Sequence, residues 1–187
     1  ALGCADLRTP APLTPRHRFR VASHSKTFTA AGIMKLRERG VVRLDDEVGT
    51  HVRGLHAALA ETTLTHLLSH SSGLVRDGLT GDQWFDRRPF ADEEELSTAL
   101  AGAPTLEPNT RFKYSNYGYG LLGRVIEVVT DEPYAAWIAR EIVAPAGLTE
   151  TTPDMPAPDG APLVSGHSVR RSLGRRLLRP GHQRSKA

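Results

Sequence analysis

Residues 19–28 read FRVASHSKTF, and the rest of the chain is organised around this stretch. Apolar and polar residues alternate up to Val21, which indicates a strand end, and a helical pattern follows. Ser23 and Lys26 are three positions apart, so a helix that includes both places them on one face. A hydroxyl and an ammonium can then meet beside one substrate atom. The free N–H groups at a helix start would also favour a developing oxyanion.

A second motif lies downstream, and it matters because an S-x-x-K spacing alone is a weak signal. Tyr114-Ser115-Asn116 lies within the segment PNTRFKYSNYGYG, residues 108–120. Taken alone, Tyr114 and Asn116 would be a turn pair whose side chains satisfy local backbone groups.

With both motifs in view, the chain resembles the serine β-lactamase and penicillin-binding-protein superfamily. It is most similar to the class C-like branch, which also contains esterases and D-amino-acid peptidases. The S-x-x-K motif matches Ser23 to Lys26, and the Y-x-N motif of the branch matches Tyr114 to Asn116. The resemblance runs from about residue 3 to about residue 166 in the order the family shows, and it includes FTAAGIM at 28–34, HLLSHSSGL at 66–74 and GYGLLG at 118–123.

One family feature is not found in the sequence. The third motif, Lys/His-Thr/Ser-Gly on an inner strand, does not occur after Asn116, and the family's opening helix and first strand would precede Ala1. We therefore expect an interior piece of a longer catalytic domain. The expected fold class is α+β: the mainly helical portion of a β-lactamase/transpeptidase-like fold, with only a few strands of the sheet.

Two regions are predicted along the chain. Residues 1–166 form a partial serine hydrolase domain, with N-terminal strands over 1–22 and a mainly helical region over 23–150. Residues 151–187 are a proline-rich loop and a basic C-terminal segment, which we expect to be truncated. Apolar periodicity predicts helices near 25–39, 63–68, 92–100, 117–129 and 132–143. The first of these is expected to turn Phe28, Ala31, Met34 and Leu36 towards the core.

Composition sets broad limits on the protein class. The 187 residues are 39% hydrophobic and 24% charged, which is ordinary for one soluble domain with a core. No apolar run reaches membrane length, so no transmembrane segment is predicted. No signal peptide opens the sequence, and the resemblance is compatible with a periplasmic or secreted protein. Localisation and oligomeric state therefore stay open.

Two other patterns are interpreted as non-functional. The basic C-terminal residues lack a nucleic-acid-binding motif and interleaved aromatics, so no nucleic-acid partner is predicted. His66 and His70 have the i,i+4 spacing of a helical zinc pair, but the glutamate of H-E-x-x-H and an obvious third ligand are missing. We expect structural histidines beside the site, and no metal or cofactor.

The resemblance implies a role for four residues. Ser23 is the implied nucleophile, which forms an acyl-enzyme with an amide, ester or β-lactam carbonyl. Lys26 or Tyr114 takes the serine proton, and either must shift roughly three units from its usual pKa to act at neutral pH. The two groups would titrate together, which leaves the identity of the base open. Asn116 would orient the substrate and Lys26.

Two hypotheses about function follow. The first is a serine hydrolase that acts on a small-molecule or peptidoglycan-like substrate. On this hypothesis the chain alone would be weak or inactive, because the third motif supplies a second oxyanion N–H in the family. The second is a binding or structural member of the same fold that performs no chemistry.

Overall fold

The computed structural model describes residues 2–8, 11–76, 93–153 and 162–165. Within these ranges the α-helices are α1 (Ser25–Glu38), α2 (Ala57–Ala60), α3 (Leu64–Leu68), α4 (Glu93–Ala101), α5 (Asn116–Thr130) and α6 (Tyr134–Ile138). A 3-10 turn, Ala22–His24, leads directly into α1, and another lies at Val48–Thr50. Helix α6 continues as a π-helical turn, Ala139–Val143.

Helix α1 packs on α5, α6 and the π-helical turn through one face, which consists of Thr29, Gly32, Ile33 and Leu36. The predicted core face is wrong at Met34, which is 37% exposed. The reason is Gly32: a Cβ there would lie only 3.0 Å from the Trp137 ring, so the missing side chain lets α6 approach. The buried face of α1 therefore includes Gly32, which an analysis of apolar periodicity does not treat as an apolar residue.

Helix α5 is the second central element and is strongly amphipathic. It contacts α1, α3, α4 and α6, and its apolar face is fully buried at Leu121, Leu122, Val125 and Ile126. Full burial of such side chains stabilises the fold by about 1.5–3 kcal/mol each relative to exposure. Because Asn116 is the first residue of α5, this packing fixes the end of the helix that carries the Y-x-N motif.

Extended segments contribute little regular structure in the described residues. They form three isolated bridges and no continuous strand: Cys4 with Pro12, Arg18 with Leu163, and Glu47 with Thr63. The strands expected over residues 1–22 are thus represented by two bridges, one of them to the segment 162–165. The helical part of the expected α+β fold is confirmed, while a sheet is not seen in the described residues.

The helix boundaries agree with the sequence to within a few residues. Thr63 is the N-cap of α3, and Pro133 is the N-cap of α6. The start of the helix predicted near residue 92 and the basic C-terminal segment lie outside the described residues. In the described ranges, no helix is both long and apolar enough to span a membrane.

Candidate active site

Ser23 lies in the 3-10 turn immediately before α1, and its side chain is exposed. The preceding residue, Ala22, has a φ of 45°, a left-handed conformation that is uncommon outside glycine. This conformation turns the chain from the extended N-terminal segment into the helix. It places Ser23 within one turn of Lys26 at the start of α1.

The Tyr114 hydroxyl approaches Ser23 from the segment that precedes α5. It donates a hydrogen bond to Ser23 Oγ with an oxygen–oxygen distance of 2.6 Å, which is typical of strong hydroxyl pairs. Ser115 caps α5 by accepting the Gly118 N–H at 3.0 Å and donates to the Val75 carbonyl at 2.6 Å. The Y-x-N segment is therefore fixed to both α5 and the loop after α3.

Lys26 and Asn116 form the third contact of the site. Lys26 Nζ donates to Asn116 Oδ1 at 2.5 Å and lies 4.9 Å from the centroid of the Tyr114 ring. Asn116 is 7% exposed, and its backbone N–H donates to the Arg76 carbonyl at 2.8 Å. The amide is thus held in place and orients the ammonium towards Tyr114.

Hydrogen bonds and neighbouring cations lower the pKa of the Tyr114 phenol. Burial alone would raise the pKa of the phenol, but hydrogen bonding with Lys26 and Ser23, together with the charges of Lys26 and Arg76, holds the pKa below its ordinary value. A lower pKa raises the fraction of phenolate at a given pH, and the phenolate oxygen is the form that can accept a proton. The Tyr114 phenol is thus surrounded by the cations of Lys26 and Arg76 and by the Ser23 hydroxyl.

The two predicted structural histidines differ in their surroundings. His66 belongs to the capping box of α3, where its Nδ1 accepts the Thr63 N–H at 3.2 Å. His70 packs against the Tyr114 ring at a centroid distance of 4.5 Å, as expected for a histidine beside the site. Within the described residues, no three histidine, cysteine, aspartate or glutamate side chains cluster in a way that could hold a metal ion.

Sequence reasoning missed two neighbours of the catalytic candidates. Lys26 Nζ lies 5.6 Å from the centroid of the Tyr119 ring. The Arg76 guanidinium carbon lies 5.6 Å from the centroid of the Tyr114 ring. Tyr119 could have been found, because it lies one helical turn after Asn116 on α5. Arg76 follows the HSSGL stretch in a loop, and no local periodicity identifies which side chain of a loop turns inwards.

A cleft of about 310 Å³ lies between α1 and α5. Its lining includes Lys26 and Thr29 from α1, Tyr119 and Arg124 from α5, and Tyr134 from α6. The hydroxyls of Thr29 and Tyr134, which both line the cleft, are 2.7 Å apart. The ammonium of Lys26 therefore borders both the cleft and the Tyr114 ring.

The chain is similar to known proteins over most of its length. The Beta-lactamase family model matches residues 1–186. The chain is 35% identical over 155 residues to a penicillin-binding protein of Bacillus subtilis, which covers 81% of this chain and 34% of that protein. The solved penicillin binding protein from Bacillus halodurans gives a TM-score of 0.75 at 26% identity, over 88% of this chain and 51% of that one.

A second solved structure is similar at the same level. The D-amino acid amidase from Ochrobactrum anthropi SV3 gives a TM-score of 0.69 at 31% identity, over 81% of this chain and 45% of that one. This chain spans about a third of the length of the curated relatives it matches.

Proposed function

This chain belongs to the β-lactamase family, and on that premise we propose that it carries the acylating part of a serine hydrolase site. The observation that carries the proposal is the 2.6 Å contact between the Tyr114 hydroxyl and Ser23 Oγ, two side chains 91 positions apart in the sequence. A nucleophile, a proton acceptor and an orienting amide are then provided by Ser23, Tyr114 with Lys26, and Asn116.

The proposed reaction has two stages. Ser23 Oγ attacks a carbonyl carbon, so that an O–C bond forms while the serine O–H proton passes to the Tyr114–Lys26 pair. Collapse of the tetrahedral intermediate breaks the bond from carbon to the leaving nitrogen or oxygen, which receives that proton. Water then hydrolyses the acyl-enzyme through the same pair and restores the serine.

The base in this scheme is the pair rather than either member. The lowered pKa of Tyr114 supports its phenolate oxygen as the acceptor of the Ser23 proton. Lys26, held by Asn116 Oδ1 at 2.5 Å, stabilises the phenolate by its charge. Because the two groups interact, their apparent pKa values belong to the pair.

The substrate class proposed is an amide, ester or β-lactam in a small-molecule or peptidoglycan-like compound. The relatives named as penicillin-binding protein and D-amino acid amidase support acyl compounds of this kind.

We also propose an α+β fold for the whole domain and the division into residues 1–166 and 151–187. The third family motif, which would supply a second oxyanion donor, is worth about 2.7–4 kcal/mol of transition-state stabilisation. On this account the chain alone is weak or inactive.

A reactive-serine probe tests the proposal. The full-length protein is treated with a fluorophosphonate or a labelled penicillin, and labelling is compared with the Ser23→Ala variant. A matched control is Ser97→Ala, which removes an exposed serine on α4. Labelling that disappears only in Ser23→Ala supports the hydrolase. Folded protein that no probe labels would instead indicate a binding or structural member of the fold.

A further inference from the structure

His70 contacts the segment around Tyr114 both through its ring and through hydrogen bonds. Its ring lies 4.5 Å from the Tyr114 ring with a tilt of 33° and 5.0 Å from the Tyr119 ring, both measured between centroids. Phe112 meets it edge-on at 5.7 Å. Aromatic pairs at these separations have preferred mutual orientations, so the imidazole restricts the rotation of the Tyr114 ring.

The same residue also holds the backbone on both sides of Tyr114. The Lys113 N–H donates to the His70 carbonyl at 2.7 Å, and the Ser115 N–H donates to His70 Nδ1 at 3.2 Å. An imidazole nitrogen that accepts an N–H bond carries no proton, so His70 is the neutral tautomer with its proton on Nε2. A protonated ring would lose this acceptor and leave the Ser115 N–H without it.

The backbone of His70 is itself constrained. Its φ is 56°, in the left-handed region, where a residue with a side chain is uncommon. The His70 N–H donates to the Leu67 carbonyl at 3.2 Å, which fixes the turn that ends α3. In this conformation the ring is directed from the end of α3 towards the start of α5.

Burial favours the neutral form of His70, and the charge of Lys26 adds to this effect. Burial, followed by the charge of Lys26, holds the pKa of His70 below its ordinary value. The other titratable groups that face it in the described residues are the phenols of Tyr114 and Tyr119. The acceptor state of Nδ1 therefore persists at neutral pH.

We propose that His70 is the positioning residue of the site: its neutral imidazole holds the Tyr114 hydroxyl against Ser23 Oγ through ring contact and through the two backbone bonds that flank Tyr114. This inference rests on the proposed function, because it assigns a role in proton transfer to Tyr114. His70 itself exchanges no proton with substrate and acts only through Tyr114. It follows that its effect on acylation disappears when the phenol is absent.

A double-mutant cycle tests this dependence in the full-length protein. Acylation rates by an activated ester are measured for the parent, His70→Ala, Tyr114→Phe and the double variant. Misplacement of a catalytic group by about 1 Å costs on the order of 10²-fold, so His70→Ala is expected to slow the parent by about that factor. In the Tyr114→Phe background the same change is expected to alter the rate by less than about 2-fold.

Two further variants keep the test independent of folding. His70→Asn retains a side-chain acceptor and tolerates the left-handed backbone, so it is expected to recover part of the lost rate and to replace His70→Ala if that variant is unstable. His56→Asn is the matched control, because His56 Nδ1 also accepts a backbone N–H, from Ala58 at 3.2 Å, but caps α2. It is expected to acylate at the parent rate.

A titration of Tyr114 gives a readout that does not require activity. The tyrosinate absorbance of the parent minus that of Tyr114→Phe reports the ionisation of this phenol, and His70→Ala is expected to move its pKa up towards the ordinary value. Equal rate losses in both backgrounds, or an unchanged Tyr114 titration in folded His70→Ala, would overturn the positioning role. Failure of the proposed function is a separate result, because it appears either as folded parent protein that no probe labels or as labelling that survives Ser23→Ala.

Discussion

The Tyr114 hydroxyl lies 2.6 Å from Ser23 Oγ, although the two residues are 91 positions apart in the chain. This contact joins the turn before α1 to the segment before α5, and the packing of α1 on α5 maintains it. Lys26 Nζ on α1 donates to Asn116 Oδ1 on α5 at 2.5 Å. The N-terminal regions of α1 and α5 are therefore joined by two separate hydrogen bonds. On the proposed function, proton transfer from the serine depends on both.

The Tyr114–Lys26 pair is expected to act as one unit in acylation. Lys26→Ala and Tyr114→Phe should each lower the acylation rate by roughly 10²–10⁴, the usual contribution of a positioned acid or base. The double variant should lose much less than the product of the two factors, because members of one proton relay are not additive. Rates of purified, folded variants with one activated ester provide the measurement. Two single variants that both acylate at the parent rate would mean that the base lies elsewhere.

Arg76 is expected to set part of the pH dependence. Burial raises the pKa of Tyr114. Hydrogen bonding with Lys26 and Ser23 and the charges of Lys26 and Arg76 together outweigh burial, so the net effect is a lowered pKa. A nearby cation favours the phenolate, so its removal in Arg76→Gln raises the pKa. The acid limb of the acylation-rate profile should then move to higher pH.

The control for that experiment is Arg37→Gln, which removes an exposed arginine from the last turn of α1. Its pH profile should coincide with that of the parent at moderate salt, because exposed charges beyond a Debye length are screened. A shift of equal size in both variants would assign the effect to net charge rather than to Arg76.

Gly32 and Gly123 offer a matched pair for packing between helices. A Cβ at Gly32 would lie 3.0 Å from the Trp137 ring and 3.1 Å from Ile126, whereas one at Gly123 would meet Tyr134 at an ordinary 3.5 Å. Gly32→Ala should therefore lower the free energy of unfolding by about 1–3 kcal/mol, the usual cost of overpacking. Gly123→Ala should be neutral or raise it by up to about 1 kcal/mol through helix propensity. Urea denaturation of both variants provides the comparison, and equal effects would refute the close approach at Gly32.

Ser72 and Ser115 are equally buried but differ in their hydrogen bonds. Each is 1% exposed; Ser115 Oγ has two partners, while Ser72 Oγ has no partner in the described part of the chain. Ser72→Ala should leave the free energy of unfolding unchanged or raise it, because an unsatisfied buried hydroxyl is removed. Ser115→Ala should lower it by about 1–3 kcal/mol, since the Gly118 N–H and Val75 carbonyl lose their bonds. A larger loss for Ser72→Ala would show that its hydroxyl has a partner in the full-length protein.

The sequence was informative where a signal is local. The apolar pattern of α5 predicts its buried face directly, whereas the spacing of Ser23 and Lys26 predicts only that the two residues lie within one turn of each other. The approach of Tyr114 to Ser23 depends on helix packing, and only the family resemblance indicated it. The bridge from Arg18 to Leu163 is equally non-local, so the spacing of residues does not predict it.

Other features depend on what a side chain meets after folding. Met34 fits an apolar helix pattern, yet the core stripe passes through Gly32 because Trp137 occupies the space beside it. His70 was predicted to be structural, but its two bonds to the neighbours of Tyr114 could not be read from an i,i+4 spacing with His66. Arg76 approaches the phenol through a loop whose course has no periodic signal.

The most direct test of the central claim is the location of the acyl group. The full-length protein is incubated briefly with an activated ester or a labelled penicillin, quenched in acid, digested and sequenced by tandem mass spectrometry. The account predicts a single acyl adduct on the peptide that contains Ser23, in an amount that falls sharply in Tyr114→Phe. An adduct on another side chain, with Ser23 unmodified, would contradict it.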